Sequence, residues 1–227
     1  AFGSAAGPAR DSALLDVGSG RIALTTDSYV VQPLFFPGGN IGHLAGHGTI
    51  NDLACSGAQP VALTAGFILE EGLELDVLGA IASTMGRVAQ EAGVSIVTGD
   101  TKVVGKGGAD QLFVNTAGVG VVPPGVHIGP ERARPGDVVI LSGPVGEHGV
   151  AILSVREGID FGTEVRTDSA PLHRLVAAML SGAAEAGDPG AVHTVRDPTR
   201  GGLVASLVEI ARAADEAAAH HPQKLLV

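Results

Sequence analysis

Six polar residues fall where the chain turns from one element to the next. Asp11 lies in RDSALL, Asp27 in TTDSYVV, Asn51 and Asp52 in TINDLA, Asp100 in TGDTKVV and Asp197 in RDPTRGG. Ser, Thr or Gly accompanies most of them, and Asp27 sits inside one of the most strand-like stretches of the chain, where aspartate is disfavoured. Carboxylates gathered at one end of a sheet repel one another unless a hard cation lies between them. Mg²⁺ suits that position, because it takes oxygen ligands and shares them with nucleotide phosphates. A metal bridge also lets an acidic protein hold an anionic nucleotide. The plainer alternative is that each aspartate caps its own turn.

Other groups carry weaker signals. In DPTRGG a turn ends in two glycines before LVASLVEIARAA, so free N–H groups at a helix start lie beside Arg200 and suit an anion, or else form a plain cap with a solvated arginine. His43 and His47 are spaced i, i+4, a pattern that binds transition metals, but no third ligand is evident and Gly46 and Gly48 weaken the helix, which favours a partner-facing or phosphate-facing role. His148 in GPVGEHG is expected in a turn lining a cleft, and His220 and His221 in solvent. Cys55 has no basic neighbour in sequence to ionise it, which makes it a core residue.

The elements that must position these groups alternate. Residues 21–36 read as one long strand leaving through Pro33 and PGGN. Ile41, Leu44, Ala45, Ile50, Leu53 and Ala54 recur near helical spacing up to Gly57. PVALTAGFILEEG is a strand, and Leu75, Leu78, Ile81, Met85 and Val88 mark a helix ending at Gly93. SIVTGDTKVVG and QLFVNTAGVGVV follow as strands. The Pro-rich stretch 123–137 marks a boundary between an N-terminal domain, 1–123, and a C-terminal one, 135–227. The second half predicts a strand over 138–142, helices over 150–157 and 171–186, and a strand, turn and helix through AVHTVRDPTRGGLVASLVEIARAA. KLLV at the end reads as a strand without a partner, so the second domain is expected to be incomplete.

Composition bounds the rest. The chain has 227 residues, 45% apolar but only 3% aromatic and with no Trp, so its core must be built from Ala, Val, Leu and Ile, as in sheets covered by Ala-rich helices. Its 34 glycines are roughly twice the ordinary share of about 7%. A net charge of −10, from 24 acidic against 14 basic residues, argues against nucleic acid as a partner. One cysteine makes no intramolecular disulfide, and neither a signal peptide nor a bilayer-spanning run is present, so a cytoplasmic location is expected. The chain opens with Ala1 rather than Met, which reads as a trimmed form of something longer.

Taken in order, TTDSYVVQPLFFPGGNIGHLA, HGTINDLACSGAQP, GFILEEG, IVTGDTKVV, NTAGVGVV, SGPVGEHG and RDPTRGGL resemble the HypE family of hydrogenase maturation proteins. That family lies within the superfamily of aminoimidazole ribonucleotide synthetase, selenophosphate synthetase and thiamine monophosphate kinase. The resemblance covers most of residues 10–210. It implies a PurM-like two-domain α/β (α+β) fold whose N-terminal mixed sheets pair between two subunits into a barrel. Mg-ATP would bind over those domains, with Asp11, Asp27, Asp52, Asp100 and Asp197 as metal ligands. Asp27, Asn51, Asp52, Asp100, Thr101, Lys102, Thr199, Arg200 and Gly201 would hold ATP, and Asp27, Asp100 and Lys102 would act in catalysis. The implied reaction is ATP-dependent dehydration of a C-terminal cysteine S-carboxamide to a thiocyanate, the source of the cyanide ligands of [NiFe] hydrogenase. The implied partners are a second copy, the carbamoyltransferase HypF and the HypC–HypD complex. The family's terminal Pro-Arg-Ile-Cys motif is not in this chain. That leaves open a non-catalytic dimeric nucleotide-binding scaffold, or chemistry like that of thiamine monophosphate kinase or selenophosphate synthetase.

Overall fold

Alternating side chains over residues 20–29 put Ala23 and Thr25 on one face of a strand and Leu24 and Thr26 on the other. In the computed structural model, which describes residues 10–220 apart from the side chain of His220, this stretch is β2 (Gly20–Tyr29). A tight Gly-Ser-Gly turn folds β1 (Ala13–Val17) back onto it, a strand that the sequence reading did not anticipate. β2 ends at Tyr29 rather than continuing to Phe36, because Pro33 has no N–H for a ladder. Phe35–Phe36 (β3) pairs instead with Gly39–Asn40 (β4) in a small hairpin.

Helix α1 (Ile41–Cys55) begins at Asn40, whose side chain accepts from the Gly42 N–H at 2.8 Å, while His43 Nδ1 accepts from the Asn40 N–H at 3.1 Å. β5 (Gln59–Glu70), α2 (Leu75–Ala92) and β6 (Ser95–Val104) make a parallel crossover unit. α2 stops where expected, at Gly93, whose φ of 72° is a left-handed cap. β7 (Leu112–Val122) inserts between β2 and β5, giving a five-stranded mixed sheet of order β1-β2-β7-β5-β6 in which only β5 and β6 run parallel.

Both α1 and α2 lie on one face of the sheet. Ile41, Ala45, Ile81, Met85, Ala65, Leu112 and Val114 fill the space between them, all less than a tenth exposed. α1 is buried on nearly every side, which is why its apolar residues are spread around the helix. The opposite face of the sheet has no cover among the described residues, and Leu24, Ile68 and Val121 on it are 45%, 42% and 48% exposed.

Beyond a short 3₁₀ turn (Pro130–Arg132) come α3 (Glu147–Glu157), α4 (His173–Glu185) and α5 (Gly202–His220). Residues 138–142 form no strand, contrary to the reading of DVVILS; Val138 and Ile140 are 82% and 84% exposed. Residues 191–197 are likewise irregular. A strand needs a ladder of backbone partners; among the described residues 138–142 has no strand beside it, and 191–197 has a single long-range backbone bond, from Gly129 N to the His193 carbonyl at 3.0 Å. The expected strand in KLLV, and His221, lie outside the described residues. No helix among the described residues is long and apolar enough to cross a membrane.

The two halves meet along residues 167–172. Thr167 N donates to the Pro37 carbonyl at 2.9 Å. Asn51 clamps the lead into α4, its Nδ2 donating to the Ala170 carbonyl and its Oδ1 accepting from Leu172 N, each at 2.9 Å. His47 Nδ1 lies 3.1 Å from Ser169 Oγ. Burial, then His43, His173 and Arg87, push His47 down from 6.5 to about 4. A depressed histidine contributes stability that is present above the unfolded value of 6.5 and lost as the pH falls through about 4. Thermal midpoints measured from pH 7 to pH 4 are therefore expected to fall further for the wild type than for His47→Gln, the gap reaching on the order of 2 kcal/mol. Parallel curves would remove this joint from the acid response.

Candidate functional site

Four aspartates converge where β1, β2, the last turn of α1 and the lead into α5 meet. Asp27 and Thr25 lie two residues apart on β2, so both face α1. Thr25 Oγ1 lies 2.9 Å from Asp52 Oδ2 and 3.0 Å from the Asp11 carbonyl, its single proton shared between the two acceptors, which ties α1 to the start of β1. Asp197 reaches the same place from the turn before α5. One carboxylate oxygen of Asp11, one of Asp197 and the Cys55 thiol all lie within 4.8 Å of one another.

The electrostatics of this group are those of crowded, half-dehydrated anions. Burial, followed by the Asp197 charge, raises Asp11 from 3.8 to about 7, against the opposing pull of Arg196. Asp52 is pushed well up, again by burial first and then by Asp197 and Asp27. Asp197 rises for the same reasons, with Arg196 pulling the other way. Arg196 Nη1 sits 3.0 Å from Asp11 Oδ1, and its Nη2 sits 2.9 Å from Glu209 Oε2. A divalent cation fits this donor set: oxygen ligands converge, and the negative charge is in excess of what one guanidinium offsets.

Cys55 is buried, as its sequence suggested, but against the carboxylates rather than in a purely apolar core. Burial and the charges of Asp197, Asp11 and Asp52 hold its thiol protonated. It is therefore no nucleophile.

The remaining candidates lie elsewhere. Asp100 pairs in register with Gly66 and Lys102 with Ile68, so both point to the uncovered face of the sheet, whereas Asp27 pairs with Thr116 on the helix-covered face. β2 and β6 are three strand spacings apart, about 14 Å. Asp100 instead accepts from Lys102 Nζ at 2.5 Å and from Thr101 N at 2.8 Å, and is held below the usual carboxylate range by Lys102 first. Within one chain the expected carboxylate set therefore divides into a group of four and an isolated Asp100. Asn51 leaves the group as well, since both ends of its amide hold residues 170–172.

Thr199, Arg200 and Gly201 are exposed at the start of α5, beside Asp197 in sequence. The guanidinium that meets the carboxylates is that of Arg196, not Arg200. Sequence reasoning passed over Arg196, although it is adjacent to Asp197. His148 lies in the first turn of α3 with its ring edge-on to Phe36, centroids 5.3 Å apart, and its Nδ1 3.0 Å from Thr167 Oγ1, so it belongs to the joint between the halves. His43 and His47 rings are 5.9 Å apart, and among the described residues no third ligand completes a histidine site.

Comparison with known proteins covers both halves. Residues 9–122 match the family described as AIR synthase related protein, N-terminal domain, and residues 134–219 match its C-terminal domain. A carbamoyl dehydratase HypE of Bradyrhizobium diazoefficiens is 56% identical over 202 residues, which is 89% of this chain and 57% of that relative. The chain thus spans little more than half of the relative's length. Among solved structures, a HypE–HypF complex aligns with a TM-score of 0.84 at 47% identity, covering 91% of this chain and 65% of that one. A HypE bound to ATP aligns with a TM-score of 0.81 at 49% identity, covering 90% of this chain and 59% of that one.

Crowded carboxylates oppose the fold wherever they are ionised and no cation is present. Their raised values mean that stability is intact below the unfolded 3.8 and is lost as the pH rises through the folded values. Asp52→Asn is accordingly expected to raise the thermal midpoint at pH 8 in chelator, by about 1 kcal/mol or more, and to leave it unchanged near pH 4. A lowered midpoint at pH 8 would mean that the carboxylates stabilise each other through contacts other than a cation.

Proposed function

The chain belongs to the AIR synthase related protein family, and we propose that it forms the nucleotide-binding body of a HypE-type carbamoyl dehydratase. The observation that carries this reading is the convergence of Asp11, Asp27, Asp52 and Asp197, three of them with raised carboxyl values, in a chain matched at about half identity by proteins named for that activity. Its substrates are Mg-ATP and a cysteine S-carboxamide. The carboxamide oxygen attacks the γ-phosphorus of ATP and ADP leaves. The C–O bond then breaks, phosphate departs with that oxygen, and loss of the two nitrogen-bound protons leaves S–C≡N.

In this reading Asp11, Asp27, Asp52 and Asp197 hold the cation, which when bound offsets the charge that builds on the transferred phosphoryl group. Thr199, Arg200 and Gly201 offer phosphate contacts at the start of α5, where free N–H groups and the helix dipole favour an anion. Arg196 keeps Asp11 oriented and partly neutralised. The carboxamide is not carried on Cys55, whose buried thiol stays protonated. It arrives on another cysteine, delivered by a HypF-like carbamoyltransferase, and the cyano group leaves toward a HypC–HypD-like acceptor.

A homodimer belongs to the same reading. The open sheet face, with Leu24, Ile68 and Val121 each more than two-fifths exposed, is an apolar surface of the kind that marks an interface. Asp100 and Lys102 lie on that face, and Thr101 beside them on the edge strand. With a second copy laid over it, these residues complete the nucleotide site at the boundary between subunits. Val121→Asp is expected to shift the sedimenting species from dimer to monomer, and a dimer that persists would place the interface elsewhere.

Calorimetric titration of ATP in the presence and absence of Mg²⁺ tests the central assignment. Binding is expected only with the cation, and Asp52→Asn is expected to weaken it at least tenfold, the loss of one charged ligand being worth more than about 1.4 kcal/mol. Equal ATP affinity in wild type and variant would remove the four-carboxylate site from the nucleotide reaction.

A further inference from the structure

Behind the carboxylates runs a chain of buried hydroxyl groups that the reaction does not touch. Thr116, fully buried on β7, donates from Oγ1 to the Ala45 carbonyl of α1 at 3.1 Å. Its Oγ1 is also 2.5 Å from Thr49 Oγ1, and since the Thr116 proton is engaged, Thr49 is the donor of that pair. Thr49 Oγ1 is then left as an acceptor toward Tyr29. The phenol carries one proton and faces two acceptors at equal distance, Thr49 Oγ1 and Asp27 Oδ2, each 3.3 Å away. Two long, equal contacts are the geometry of one proton shared between two acceptors.

The fold accommodates this phenol at a cost. Residue 48 is in the interior of α1, where glycine is unfavourable by about 1 kcal/mol relative to alanine. A methyl group there would overlap Tyr29 Oη. Burial first, and then the charge of Asp27, raise Tyr29 above its ordinary value, so the phenol remains a donor at any working pH.

We propose that Tyr29 is a positioning residue for the cation site: through the Thr116–Thr49 relay it is braced against α1, and it fixes the rotation of the Asp27 carboxylate by holding Oδ2. The proposal rests on the reading of Asp27 as a cation ligand. Its content is that β2 does not by itself orient Asp27; α1 does so, through a phenol that Gly48 admits.

The test compares Tyr29→Phe, Gly48→Ala and Asp27→Asn in the full chain, with Mn²⁺ binding followed by electron paramagnetic resonance and ATP affinity measured at saturating Mg²⁺. Tyr29→Phe is expected to raise the Mn²⁺ concentration at half saturation about five- to tenfold, the scale of one lost hydrogen bond to a charged group. Its thermal midpoint in chelator should stay close to that of the wild type, a combination that a merely structural role would not give. Gly48→Ala, which displaces the phenol, should show at least the same loss of Mn²⁺ affinity. Unchanged Mn²⁺ affinity in Tyr29→Phe overturns the positioning role if Asp27→Asn abolishes binding. If Asp27→Asn also binds Mn²⁺ as the wild type does, the cation reading of the cluster fails as well, and the two failures are distinguished.

Discussion

Four carboxylates brought into one half-buried space is the constraint on which the rest of this structure depends. Asp11, Asp27, Asp52 and Asp197 come from four separate elements; Asp11, Asp27 and Asp197 each raise at least one of the others, while Asp52 hydrogen-bonds Asp197 and lowers it. Apart from that hydrogen bond between the Asp52 and Asp197 carboxyl groups, their mutual interaction is repulsive. They stay in place because the elements that carry them are fixed by other means: the β1–β2 ladder, the bed of α1 on the sheet, and the Thr25 hydroxyl that joins Asp52 to the Asp11 backbone. The arrangement is preorganised for positive charge, at the expense of stability while that charge is missing.

Helix α1 is the part that makes this affordable. Neighbouring residues on a helix diverge by about 100°, so Asn51 and Asp52 point in different directions. Asn51 takes hold of residues 170–172 while Asp52 faces Asp11, Asp27 and Asp197. Rotating or sliding α1 would break both at once. The carboxylate site and the seating of the second half are therefore set by the same helix. A substitution at the joint, at His47 or Ser169, acts on a structure shared with the site even though neither residue touches it.

Much of this was legible in the sequence because it depends on local pattern. The helical spacing in residues 75–93, the glycine that ends α2, the strand character around Asp27 and the clustering of polar residues at element ends all report through nearest neighbours along the chain. What was missed depends on pairing at a distance. β1 is a short strand whose existence rests on a partner across a two-residue turn. Residues 138–142 have the composition of a strand but no neighbour among the described residues, and composition does not supply one. Arg196 was passed over, and the contacts of Asn51 with residues 170–172 were not foreseen, for the same reason: a guanidinium or amide declares its type in sequence, but its partner is decided by how two halves of the chain meet.

The division of Asp27 from Asp100 is the clearest case of register deciding function. Both stand beside threonine in strand-forming segments, and a linear reading sets them side by side in one site. The ladder gives Asp27 the partner Thr116 and Asp100 the partner Gly66, and these belong to opposite faces. A strand has a period of two, so a shift of one residue in either ladder would reverse the result. The bulge between Leu63 and Thr64, which leaves Val97 unmatched on β6, is such a shift. Without it, Gly99 and Thr101 would occupy the open face, and Asp100 would point toward the helices. The irregularity in β5 and β6 therefore determines which surface of the sheet carries the second carboxylate. It gives both faces of one sheet a charged group, the covered face toward the helices and the open face outward.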